Sequence, residues 1–101
     1  MILLVTREFP TGHPEKLLLA AVIRRAAYDI ALYKGNPRLE KRRLWLGAYR
    51  WMFDESGFEF TSFLSICNIL DQDPQWIRAR TLKLRREDVK KYELVDTHGR
   101  L

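Results

Sequence analysis

Apolar residues recur at three- and four-residue steps along most of this chain, the period of one helical face. From Pro14 to Lys34 the stripe is Leu18, Leu19, Val22, Ala26, Ile30 and Tyr33. Pro14 suits a first helical turn, where its missing N–H costs nothing. Gly35 suits the left-handed position that ends a helix. A second helix is predicted from Asn36-Pro37, with Asn36 as its cap and Pro37 in its first position, to about Ser56-Gly57. Its inner face is Leu44, Ala48, Trp51 and Met52, flanked by Trp45 and Tyr49. Gly57-Phe58-Glu59-Phe60 is a short extended link. Thr61 or Ser62 then caps a third helix whose stripe is Phe63, Ile66, Cys67 and Leu70. No charge occurs between Thr61 and Leu70, so that helix is expected to be well covered. Asp71-Gln72-Asp73 stops it. Asp73 as N-cap and Pro74 in the first position open a fourth helix, running to about Leu84.

The chain ends are less regular. Met1 to Val5 is apolar and partly β-branched, as in a short strand, and Glu93 to Val95 is a candidate partner for it. Arg86 to Tyr92 either continues the fourth helix or forms a separate helical turn. The expected fold is mainly all-α. It is a small helical bundle in one domain, residues 1–101, with a helix-turn-helix in its C-terminal half and a minor two-stranded element from the chain ends as an open addition.

Composition narrows the class. A chain of 101 residues with 47% apolar and 12% aromatic content can bury one real core. The single Cys67 excludes an internal disulfide and a multi-cysteine zinc site, and it fits a reducing, intracellular setting. The apolar start MILLV is too short for a signal peptide or membrane span, and no later window approaches about 18 uncharged apolar residues. The sequence therefore predicts a soluble, cytoplasmic protein with no membrane partner. Net charge is +5. Residues 1–50 are net +6, residues 51–73 net −5 and residues 74–101 net +4, so two basic segments flank an acidic one. Such a surplus raises the local concentration of polyanions.

The stretch CNILDQDPQWIRAR, residues 67–80, joins an apolar helix end to a polar turn and a basic helix. A DNA-reading helix-turn-helix needs that order: a brace helix that is apolar underneath, a short turn, and a second helix that enters the major groove. Ile66, Cys67, Leu70 and Ile77 close the corner. At about 100° per residue, Thr81 and Leu84 fall beside Ile77, while Gln75, Ala79 and Arg86 fall opposite. Gln75, Arg78 and Ala79 are therefore the candidates to face bases, since Gln pairs with adenine and Arg with guanine through two hydrogen bonds each. Lys83, Arg85 and Arg86 resemble phosphate contacts. Trp76 is a candidate to stack on unpaired bases. Arg80 lies toward the core side, where it is a candidate to pair with an acid of the 51–73 segment. Arg38, Lys41, Arg42 and Arg43 oppose the dipole at the start of the second helix. They add backbone contacts if the fold brings them to the same side. The plain alternative is a helical corner with a solvated basic face.

The run from Val22 to Leu84 resembles a group of small bacterial and phage-type proteins of poorly defined function. The matching elements are Ala26-Ala27-Tyr28-Asp29, Trp51, Phe60-Thr61-Ser62-Phe63, Ile66-Cys67, Leu70, Asp73-Pro74 and Ile77-Arg78. The group has Leu-Gly where this chain has Leu70-Asp71, and Leu where it has Thr81. The resemblance implies a helical, helix-turn-helix-like regulator and carries no ligand or catalytic residue to transfer.

Catalytic and metal signals are weak. His13 and His98 stand near opposite ends without partners at ligand spacing. Asp71 and Asp73 lack a calcium-loop continuation, and capping accounts for Asp73. Asp54-Glu55 reads as a solvated helix end, and Cys67 as a small core residue. No Gly-rich phosphate loop or nucleophile motif appears. The expected protein is no enzyme and needs no cofactor or metal. It is a regulator that binds double-stranded DNA, with a homodimer as an open possibility. The rival expectations are a protein-binding adaptor of the transcription machinery and an RNA or single-strand binder.

Overall fold

The computed structural model describes residues 14–55 and 61–90. Four helices are α1 (Pro14–Tyr33), α2 (Leu39–Phe53), α3 (Phe63–Ile69) and α4 (Pro74–Lys83), and residues 86–90 are also helical. The described residues are 79% helical and contain no strand, so the all-α expectation holds. None of the described helices is long and apolar enough to cross a membrane. The strand expected at Met1–Val5, its partner at Glu93–Val95, the link Gly57–Phe60, His13 and His98 lie outside the described residues.

α1 is the central element and packs against α2, α3 and α4. Its buried stripe is set by Ala20, Ile23, Ala27 and Ile30, rather than by Leu18 and Val22, which are 71% and 46% exposed. The segment LLLAAVI is apolar on every side, so its periodicity does not fix which face turns inward. Shape decides instead: alanines at 20, 26 and 27 let neighbouring helices approach closely. Ile23, Met52, Phe63, Ile66 and Ile77 meet there in one cluster, each essentially without exposure. Full burial of such side chains contributes about 1.5–3 kcal/mol each.

α2 starts and ends differently from the sequence expectation. Asn36 accepts from the Arg38 N–H at 2.9 Å, but Pro37 stands before the helix, which begins at Leu39. The helix stops at Phe53 rather than near Ser56-Gly57, and Asp54 is extended. Met52 is its buried anchor, Trp45, Tyr49 and Phe53 stack in series at 5.1 and 4.5 Å, and Leu44 faces out.

The α3–α4 corner follows the expected chemistry. The Ser62 hydroxyl caps α3 by accepting from the Ser65 N–H at 3.2 Å. Asp71 takes the left-handed conformation with φ 58°. The Gln72 N–H then donates to the Cys67 carbonyl at 2.8 Å and the Asp71 N–H to the Asn68 carbonyl at 3.1 Å. This pair of bonds satisfies the last carbonyls of α3 as a Schellman cap does, with aspartate in place of the usual glycine. Asp73 accepts from the Gln75 N–H at 2.9 Å and Pro74 takes the first position of α4. The Thr81 hydroxyl donates to the Ile77 carbonyl at 2.8 Å, which lets it sit in the core. The helix breaks at Leu84-Arg85, and Val89 of the following turn packs on Tyr28, Leu32 and Tyr33.

Candidate nucleic-acid interface

The outward side of α4 is set by what its inward side must bury. Ile77 and Thr81 point into the core, and Leu84 is half-buried beyond them. Gln75, Trp76, Ala79, Arg80, Leu82 and Lys83 are left exposed, as expected for Gln75, Trp76, Ala79 and Lys83. α4 contains no acidic residue. Arg85 and Arg86 are exposed just beyond it. Arg85 is partly engaged: its backbone N–H donates to Asp88 at 3.0 Å and its guanidinium lies 3.4 Å from the same carboxylate. These bonds hold the Asp88 carboxyl below its ordinary pKa of 3.8.

Arg78 corrects the sequence expectation. It does not face outward to bases but is buried, 4% exposed. Its Nε donates to the Met52 carbonyl at 2.8 Å, one terminal nitrogen to Glu55 at 2.7 Å and the other to the Asp54 carbonyl at 3.4 Å. The guanidinium lies 5.6 Å from the Phe53 ring centre and 5.1 Å from that of Phe63. Carbonyls at a helix C-terminus have no intrahelical donor. Arg78 supplies donors to two of them and joins α4 to the end of α2. Its wheel position, about 100° from Ile77, already placed it on the flank of the buried stripe. What the sequence did not reveal was the acceptor set waiting there.

Arg80 is the functional candidate that sequence reasoning placed wrongly. It is exposed, and its guanidinium lies 5.5 Å from the Trp76 ring centre. The signal available was the four-residue spacing, which puts a cation and an aromatic on one helical face. The acid-pairing role expected of Arg80 belongs to Arg78.

The basic cluster of α2 is only loosely joined to this face. Arg38 pairs with Glu40 at 3.1 Å, and Lys41 lies 4.8 Å over the Tyr33 ring. Arg42 and Arg43 are exposed beside an apolar hollow that Tyr33 and Trp45 also line. Since Val89 packs against Tyr33 as well, the cluster approaches the segment after α4.

Cys67 has no exposed surface, and burial pushes its thiol up to about 12, with the Arg78 charge partly opposing. It is a neutral packing group at pH 7. Among the described residues no three His, Cys, Asp or Glu side chains gather as a metal would need. Comparison of the chain with family models, curated proteins and solved structures found no match.

Proposed function

We propose that this protein binds double-stranded DNA as a bacterial or phage-type regulator, laying α4 in the major groove. The observation that carries the proposal is the exposed face of α4. It presents Gln75, Ala79, Arg80 and Lys83 with no acidic side chain, on a helix pinned from behind by Ile77, Thr81 and Arg78. α3 supports it across a short turn, the arrangement a recognition helix needs. Gln75 and Arg80 are suited to base edges, and Ala79 leaves room for close approach. Lys83, Arg85 and Arg86 are suited to phosphates. Arg38, Lys41, Arg42 and Arg43 flank this surface at most as remote phosphate contacts. A dimer would set two such helices about 34 Å apart on a two-part site.

Selection from randomised duplexes, followed by anisotropy titration at several salt concentrations, tests this. Affinity should fall by about 0.9 log unit per tenfold salt for each phosphate neutralised. Lys83→Ala should weaken all sequences alike and reduce that slope by about one. Gln75→Ala or Arg80→Ala should instead relax preference at a base position, by about 1–3 kcal/mol. Absence of salt-sensitive duplex affinity in the micromolar range refutes the proposal. The exposed Trp76 favours a second reading, stacking on unpaired bases. In that case single-stranded DNA or RNA outcompetes duplex, and Trp76→Ala costs more than Gln75→Ala.

A further inference from the structure

The α1–α2 pair leaves apolar surface uncovered. Leu18, Val22 and Leu44 are exposed and line a groove of about 670 Å³ with Gly47, Ala48 and Trp51. A Cβ added at Gly47 would meet nothing within 4 Å, so the groove is open at that point. Arg43 lines this groove and also a second hollow of about 700 Å³, bordered by the exposed Leu39 and Leu46. The two hollows meet at Arg43 on the outer side of α2, and the first is the groove that the exposed leucines line.

Cations edge each hollow. Arg25 and Arg43 stand at the first groove, and Lys34, Arg42 and Arg43 at the second. Among the described residues lining either, the one acid is Asp29, which is buried and lies 3.4 Å from Arg25. Leucine anchors inside a cationic rim complement a helix with apolar residues at i, i+3 or i+4 and i+7 and acidic residues beside them. Phosphate backbone gains nothing from leucines. A second copy seated by two-fold symmetry would set this patch against itself, cation facing cation.

We propose that the α1–α2 surface docks an acidic amphipathic helix of a partner protein. It is a different surface from the outward face of α4, and the proposal does not depend on DNA binding.

The test uses the full chain as bait for a displayed library of random peptides several helical turns long. Leu44→Glu and Gly47→Gln variants serve as counter-baits. Gly47→Gln adds bulk at the groove while raising helix propensity, and an unchanged denaturation midpoint separates lost binding from unfolding. Enriched peptides should be net acidic, with apolar residues at helical spacing. Both variants should weaken them about tenfold or more, the scale of an interface anchor. Arg43→Glu should reduce the preference for acidic peptides. Enriched peptides without acidic bias, peptides indifferent to both variants, or no enrichment overturn the proposal. So does a wild-type dimer in sedimentation that Gly47→Gln returns to monomer, since the occupant would then be a second copy.

Discussion

Replacing Arg78 with alanine should destabilise the fold far more than any other cation on α4. The variant strips the buried Met52 carbonyl of its 2.8 Å partner and weakens the hold on Asp54. An unpaired buried acceptor costs about 1–3 kcal/mol. Contact of the guanidinium with Phe53 and Phe63 adds about 1 kcal/mol, between exposed and desolvated cation–π values. The bond to Glu55 adds little, because that carboxylate is 72% exposed and its attraction is screened. The overall loss is then about 2–4 kcal/mol. At about 4–8 °C per kcal/mol for a domain of this size, Tm should fall by about 8 °C or more. Arg80→Ala, which removes an exposed side chain, should stay within about 0.5 kcal/mol. Arg78→Lys should fall between them, because an ammonium cannot reproduce the planar fork that reaches three acceptors. Urea denaturation followed by circular dichroism, with a common slope checked across variants, reads all three. An Arg78→Ala variant as stable as wild type, with lost duplex binding, would refute the burial argument and return Arg78 to the outward face.

Other outcomes follow from the corner and its neighbours. Asp73→Ala should cost about 1 kcal/mol, the usual value of an N-cap, in the same denaturation assay. Asp71→Gly should be neutral or stabilising by up to about 1 kcal/mol, because glycine adopts a φ of 58° without penalty. Asp71→Val should destabilise. Cys67 has a raised pKa, so its contribution is complete below the ordinary thiol value of 9.0 and is lost as pH climbs toward about 12. A thiol reagent at pH 8 should therefore label it only as fast as the chain unfolds, and rapid labelling of the native protein would contradict its burial. Asp88 has a lowered pKa, so its stabilising bonds persist at neutral pH and are lost as pH drops below 3.8. Its carboxyl carbon, followed by NMR, should titrate below 3.8, and a midpoint at or above that value would show the bonds to Arg85 absent in solution.

Much of the fold was written locally. Asp73-Pro74 and Ser62 name helix starts because a short side-chain oxygen and a missing N–H act within one turn. Gly35 and Asp71 mark left-handed stops for the same local reason, with φ values of 70° and 58°. The stripes Phe63–Ile66–Cys67–Leu70 and Ile77–Thr81 are narrow, and a narrow stripe specifies its inward face. Most of the exposed face of α4 was legible as their complement.

Only tertiary structure decided the rest. The LLLAAVI segment of α1 is apolar all round, so which of its residues remained outside depended on the helices that arrived, and Leu18 and Val22 came to line a groove with Leu44. The two arginines of α4 are chemically identical and two residues apart, and the sequence assigned them in reverse. Arg78 went inward because the end of α2, 23–26 residues earlier in the chain, presents the Met52 and Asp54 carbonyls and the Glu55 carboxylate as acceptors at that point. Arg80 stayed outside on Trp76. A helical wheel records direction about one axis. It does not record which acceptors another helix presents there, and that alone separates a structural arginine from one free to meet a partner.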